Sequence, residues 1–424
     1  MKSDQVFGIA PEVREYSYVD RGNLDQTLET FLSRTVHVAI RGPSKSGKSW
    51  LRKKALANAI TVQCRHNKPF TDIYVDALSQ LNIRTEVKKT EQGVFKATLT
   101  ATGEAGAYLL AKASVAAGVA KESGSSTDSK FVGHDVTDLR FVADLIKTSE
   151  RRLVIEDFHY MTVEDRRGFA FDLKALWDYG LFAVVVGIWS ESNLLLHLNP
   201  DLTGRVHEIA VDWVKEDLKQ ILSKGGASLN LDFSDEVQEK LASLAYSNAG
   251  ILQQLALFTL DDAKIHEKGF FRQKVGDTKH VEAAAMLYAD QLNPVYQQFA
   301  KRVSAGIRTR QGATGIYAHS IAVIMEADDS ELMRGLHARS IFERAVRRQS
   351  RIQFGNLKAI LEKMESLQID KDGRGLLIAY NAASEEVTIV DRQLLLYRRY
   401  ATLKWPWEDL IAEAESKGGQ LEAG

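Results

Sequence analysis

The sequence predicts an α/β protein. A parallel β-sheet carries helices on both faces, an all-helical segment follows, and the chain ends in helices that close on a β-hairpin. Three observations carry this. Strand-like and helix-like runs alternate from about residue 39 to residue 210, strand signals stop after Val211, and two alternating strands appear only near the end. Alternation of strand and helix is the pattern of parallel strands joined by helical crossovers.

Taken in order, strands are expected at 36–40, 60–64, 153–157, 182–189 and 206–211. The first alternates and ends in a β-branched residue, and 182–189 is an apolar run, as buried strands should be. Helices are expected between them at 50–59, 70–81, 136–148 and 163–179, the last with Phe169, Leu173 and Leu176 on one face. Residues 84–135 break the rhythm. They read as a hairpin (Glu86 to Leu99), then an Ala/Gly-rich run (105–120), then a Ser-rich loop (122–129), and so as an insertion that either contacts a partner or is simply solvated. The stretch 213–266 reads as helical throughout, with a capping signal at Ser234-Asp235-Glu236, and 279–306 reads as a long helix. Helices at 329–347 and 356–367, then strands at 375–380 and 386–390, give the order of a winged-helix module. The expected domains are an N-terminal linker (1–34), a core (35–211, with insertion 84–135), a helical lid (212–306) and a winged-helix-like C-terminal domain (307–424).

Composition sets the class. The 424 residues are 45% hydrophobic and 26% charged, with a net charge of −1, so the chain is globular and not a basic nucleic-acid coat. The single cysteine, Cys64, excludes an internal disulfide framework, fits a reducing compartment and reads as a buried structural thiol. Residues 1–5 lack the apolar core of a signal peptide, and no apolar run is long enough to span a bilayer, so a cytoplasmic location is expected.

The chemistry starts at Gly42-Pro43-Ser44-Lys45-Ser46-Gly47-Lys48-Ser49, which matches G-x-x-x-x-G-K-[ST] at every fixed position. A strand precedes it and a helix follows it, the context this phosphate-binding loop requires. Its glycines let backbone N–H groups turn inward on an anion, and the helix that starts near Lys48 points its positive end the same way. Lys48 would bridge the β and γ phosphates and Ser49 would bind Mg²⁺. The expected ATP-binding set runs from Gly42 through Trp50. A second piece is Arg151-Arg152-Leu153-Val154-Ile155-Glu156-Asp157, apolar residues ending in paired carboxylates. One carboxylate can hold Mg²⁺ and the other can polarise water, although a strand can also simply end in acids at solvent. The strand ending at Trp189 emerges into Ser190 and Asn193, which would bond the γ-phosphate or mark an ordinary strand exit. Arg205, before the last core strand, would reach a neighbouring subunit's nucleotide or make a surface salt bridge.

This order of parts resembles the AAA+ P-loop ATPases, and within them the origin-recognition-type initiators and the STAND signalling ATPases, which share a terminal winged helix. The resemblance covers about residues 16–400, with only the loop and the acid-ended strand specific. It implies that Lys48 and Ser49 bind phosphate and Mg²⁺, that Glu156 and Asp157 form the acid pair, that Ser190 or Asn193 is a first sensor, and that Arg205 is a finger acting in trans. Tyr18-Val19-Asp20-Arg21 resembles the family's adenine-side linker, which adds Arg21 to the ATP-binding set. Two departures matter. Glu156 precedes Asp157 where the family places Asp first, and residues 246–254 hold no arginine where many members keep a second sensor. Both favour a slow, nucleotide-dependent oligomerising switch over a motor. A DNA-binding ATPase of the initiator, loader or transposition-regulator kind is the alternative. Arg344, Arg347, Arg348 and Arg351 share one helix face, and Arg398 and Arg399 follow, so duplex DNA is one expected partner and a solvated face the other reading. A small-molecule kinase is disfavoured, because the acid pair suits water activation. Trp405-Pro406-Trp407 reads as a packing anchor.

Overall fold

The computed structural model describes residues 1–65, 68–89, 95–116, 136, 138–189, 192–305, 315–368, 376–382, 384–401, 403–408 and 411–412. They divide into two units. The core unit is Asp20–Gly42 with Gly47–Val211, and the helical unit is Met1–Val19, Pro43–Ser46 and Asp212–Gly424.

The core unit runs α1 (Leu24–Leu32), β1 (His37–Arg41), α2 (Lys48–Ala55), β2 (Ala59–Gln63), α3 (Asp72–Ser79), β3 (Ile83–Lys89), β4 (Phe95–Ala101), α4 (Glu104–Ala116), α5 (Leu139–Thr148), β5 (Arg152–Glu156), α6 (Val163–Asp178), β6 (Ala183–Gly187), α7 (Leu194–Leu198) and β7 (Val206–Ala210). The five expected strands form one parallel sheet in the order β2-β5-β6-β1-β7. Side chains alternate across it. Val38, Ile40, Val154, Val184 and Val186 face α1 and α2 through Leu28 and Leu51. Ala39, Ile60, Leu153, Ile155 and Val185 face α3, α5 and α6 through Ile73, Leu145 and Phe169. Thr162 caps α6 by accepting from the Asp165 N–H, with Glu164 and Asp165 in the first turn, and the helix buries Phe169, Ala170, Leu173 and Leu176.

The expected hairpin forms as β3 and β4, paired antiparallel, and the Ala/Gly-rich run becomes α4. Ile83 and Leu99 are buried in the core, with Leu109 and Leu110 packed against it. The Ser-rich loop at 122–129 lies outside the described residues. Cys64 is buried beside Met161, and burial pushes its thiol up to about 12.

The helical unit runs α8 (Lys215–Ser228), β8 (Leu231–Phe233), α9 (Asp235–Leu244), α10 (Ala249–Asp262), β9 (Gln273–Val275), α11 (Lys279–Ala305), α12 (Ile316–Glu326), α13 (Asp329–Arg334), β10 (Leu336–His337), α14 (Ala338–Arg348), α15 (Phe354–Gln368), β11 (Ile378–Asn381), β12 (Glu386–Ile389) and α16 (Gln393–Tyr400). Two expectations are corrected. Strands do not stop at Val211, because β8 and β9 pair in parallel, with Leu231, Phe233 and Val275 buried. The helix expected at 329–347 breaks at Gly335, whose φ of +117° no helix accepts, and β10 then joins β12. In the resulting sheet, β10-β12-β11, β10 precedes α14 and α15 and the β11–β12 hairpin follows them, so the expected order of helices and then a hairpin is present. Trp405 stacks on the buried Trp407 at 4.7 Å, which makes this pair the packing anchor the sequence suggests. Among the described residues no helix is long and apolar enough to cross a membrane.

Phe169 is fully buried, with its ring between those of Tyr74 and Phe158. Phe169→Ala is expected to destabilise the core unit by about 3–5 kcal/mol, read from chemical denaturation.

Candidate nucleotide-binding site

The loop starts where β1 ends. Gly47 sits at φ +88° as the N-cap of α2, and a side chain there would be strained. Lys48 opens the helix with its side chain buried, and its ammonium donates to the Gly42 carbonyl at 3.0 Å. Burial lowers its pKa to about 8, against the pull of Glu156 and Asp157, and Arg21 adds to the lowering. Arg21 is buried beside the loop, with Nη2 3.9 Å from where a Cβ on Gly47 would stand. The sequence-predicted Lys48, Arg21, Glu156 and Asp157 therefore share one neighbourhood.

The acids end β5. Ser49 Oγ donates to Glu156 Oε2 at 3.3 Å. Arg52, one turn further along α2, donates to Glu156 Oε1 from Nε at 3.0 Å and from Nη2 at 2.7 Å. Asp157 turns through φ +58°, and burial, then Glu156, raises its pKa while Lys48 opposes the rise. His159 follows. Its Nδ1 accepts from the Ile188 N–H at 3.3 Å, and burial with Lys48 and Arg166 lowers its pKa to about 3, so it is a neutral ring.

The other predicted residues are placed as follows. Ser190 lies outside the described residues. Asn193 is exposed, and its backbone N–H donates to both Glu208 carboxylate oxygens at 3.0 Å. Glu208 also takes Arg41 Nε at 2.7 Å and Trp189 Nε1 at 3.2 Å, which ties the exit of β6 to β7. Arg205 lies 4.7 Å over the Trp177 ring and donates to the Asp201 carbonyl, and Trp50 is half-buried. Sequence reasoning missed Arg52, His159 and Glu208. The inverted Glu-Asp order was the one available signal for Arg52, since a longer acid needs something to fix its arm.

The loop tip, Pro43–Ser46, groups with the helical unit. Asn248 Nδ2 donates to the Ser44 carbonyl at 2.6 Å, the Gly250 N–H to the Lys45 carbonyl at 3.0 Å and Trp213 Nε1 to the Ser46 carbonyl at 2.7 Å. Asn248 also caps α10, accepting from the Gly250 and Ile251 N–H groups. A Cβ on Gly250 would stand 2.6 Å from Lys45 Cβ and 2.7 Å from its carbonyl oxygen. Lys45 Nζ donates to Gln393 Oε1 at 2.7 Å, and Tyr288 Oη donates to the same oxygen at 2.6 Å. Arg392 donates to the carbonyls of Tyr246 (3.2 Å) and Ser247 (2.7 Å), both at positive φ. The segment without an arginine thus contributes donors to the loop backbone.

The set fits Mg²⁺ held with a nucleotide. Ser49 Oγ and Glu156 Oε2 are hard oxygen donors side by side. Among the described residues no three His, Cys, Asp or Glu side chains form a metal cage, and Mg²⁺ in such sites takes its remaining ligands from phosphate and water.

A parallel sheet ordered β2-β5-β6-β1-β7, a glycine-lysine-serine loop leaving β1, and an acid-ended β5 one strand removed define a P-loop NTPase fold. No protein-family model and no curated protein matches the chain. Solved structures similar to it include the Orc1 protein of Aeropyrum pernix in complex with DNA, at 15% identity and a TM-score of 0.40, covering 90% of this chain and 92% of that one. Another is a signal transduction ATPase with numerous domains and a tetratricopeptide repeat sensor from Pyrococcus horikoshii, at 12% and 0.37, covering 91% of this chain and 43% of that one. A third is the RuvB Holliday junction branch migration motor of Thermotoga maritima, at 11% and 0.34, covering 87% and 91%. TM-scores this low carry no argument of their own, and the class rests on the strand order, the loop and the acid-ended strand.

Two outcomes are expected here. Gly250→Ala should push the loop tip away, costing about 1–3 kcal/mol of stability by chemical denaturation and weakening nucleotide binding in a calorimetric titration. Lys48 is deprotonated in the fold from about pH 8 upward but in the unfolded chain only near its ordinary 10.5, so between those values the unfolded state binds the extra proton. Nucleotide-free stability, relative to Lys48→Met, should therefore rise across that window by up to about 1.4 kcal/mol per pH unit. A flat difference between the two proteins would contradict the burial of the charge.

Proposed function

We propose that the chain is an ATP-dependent conformational switch that hydrolyses ATP slowly and assembles with copies of itself when ATP is bound. The observation that supports this best is the tethered loop tip. Three consecutive carbonyls, of Ser44, Lys45 and Ser46, accept from Asn248, Gly250 and Trp213, and the Lys45 ammonium reaches Gln393 at the start of α16. A loop bound this way cannot readjust around a phosphate without disturbing the lid helix or the winged-helix-like segment. A γ-phosphate present in ATP and absent in ADP supplies the differential contact a switch needs.

In this reading Gly42 to Trp50 and Arg21 hold the nucleotide, Lys48 its phosphates, and Ser49 and Glu156 the Mg²⁺. The metal, when bound, neutralises phosphate charge. Asp157 takes the proton of the attacking water, a role its raised pKa suits. Arg205 completes a neighbour's site only after leaving the Trp177 face. Slow turnover follows, because the acids are inverted and the finger is engaged elsewhere.

The DNA-binding reading has less behind it. Arg344 pairs with Glu331 and Arg348 with Glu326, while Lys358 on α15 pairs with Glu385. Arg398 donates to Asp329 and two backbone carbonyls. Arg347 remains exposed on α14, but the helix ends at Arg348 and its chain turns extended at Gln349, so Arg351 lies beyond it and the four arginines do not share one helix face.

Light scattering with ADP, with a non-hydrolysable ATP analogue, and with each plus duplex DNA separates the readings. The switch predicts a larger particle with the ATP analogue alone and none for Lys48→Ala. Assembly that Lys48→Ala leaves unchanged would sink it. Assembly only with DNA, lost in Arg347→Ala/Arg348→Ala, would establish the alternative.

A further inference from the structure

Resting on the reading of this loop as an ATP·Mg²⁺ site, we infer that Arg52 is a positioning residue that lets a glutamate serve where a shorter acid would ordinarily stand. Ser49 and Arg52 are three apart on α2, so they share a helix face, and both reach Glu156. Arg52 and Glu156 are each only 5% exposed. Both guanidinium donors go to Oε1, so that oxygen is spent on the ion pair. Oε2 is left facing the Ser49 hydroxyl. A glutamate has one more rotatable bond than an aspartate, and a free arm would sample several positions at β5's end. The forked contact removes that freedom and presents a single oxygen on the side of Ser49.

The local charge follows the same logic. Glu156 and Asp157 adjoin one another, with Lys48 and Arg52 as their cationic neighbours. With Oε1 neutralised by Arg52, the acids alone offer little to a free divalent cation. Mg²⁺ then enters with the nucleotide and not ahead of it.

The inference predicts a conditional requirement: Arg52 matters because residue 156 is Glu. The test is binding of fluorescent ATP, titrated with and without Mg²⁺, to wild type, Arg52→Lys, Arg52→Met, and Arg52→Met combined with Glu156→Asp. Without Mg²⁺ Arg52→Lys and Arg52→Met should bind ATP within about twofold of wild type, while Arg52→Met should need at least about tenfold more Mg²⁺ for half-maximal enhancement. Arg52→Lys should fall between, keeping the charge but not the fork. The double variant should recover much of the Mg²⁺ response, because a shorter acid needs no clamp. A normal Mg²⁺ response in Arg52→Met, or a double variant no better than Arg52→Met, overturns the inference. If Arg52→Met does not fold, the Arg52→Lys titration decides: a wild-type Mg²⁺ midpoint overturns the inference, and a raised one supports it. Failure of wild type to bind ATP at all would instead remove the reading of the loop.

Discussion

The site depends on a charge held where water cannot reach it. Lys48 is an ammonium buried at the start of α2, and burial, with Arg21 adding to it, pulls its pKa down to about 8 against Glu156 and Asp157. Such a group is costly unless something negative meets it. It leans on the Gly42 carbonyl and on the field of Glu156 and Asp157. The rest of the arrangement answers to that cost. β5 ends in acids one strand away from β1, Arg52 steadies the first acid, and burial lifts the second. In the proposed reading a bound polyphosphate supplies that negative partner.

Much of this was legible from residue order. The loop, the acid-ended strand and the five core strands announce themselves by local pattern, because buried parallel strands are continuous apolar runs and the loop's glycines have fixed spacing. The Glu-Asp inversion was also visible, and so was the missing lid arginine. Their consequences were not. That Arg52 closes on Glu156 depends on how α2 lies against β5, which no spacing in the chain reveals. That Asn248, Gly250 and Trp213 would occupy the loop's carbonyls depends on contacts across about two hundred positions of sequence. The two corrected elements have simpler causes. The β8–β9 pair is three residues per strand, below the length at which alternation is informative, and Gly335 sits inside a run that otherwise reads as helix.

The basic tail shows why composition misleads. Four arginines at helical spacing look like a phosphate-binding stripe. Two of them, Arg344 and Arg348, are drawn into pairs with acids elsewhere in the fold. Exposed pairs of this kind contribute little to stability, but they change what the face presents to a partner.

Cys64 has a practical consequence. The thiol is the chain's only one, it is buried against Met161, and its thiolate is suppressed at neutral pH. To a maleimide the native protein is therefore nearly cysteine-free. A spectroscopic label can be placed at an exposed position of α16 such as Arg399, in an otherwise unaltered background with Lys45 and Gln393 intact, and that helix can be followed directly as nucleotide is exchanged.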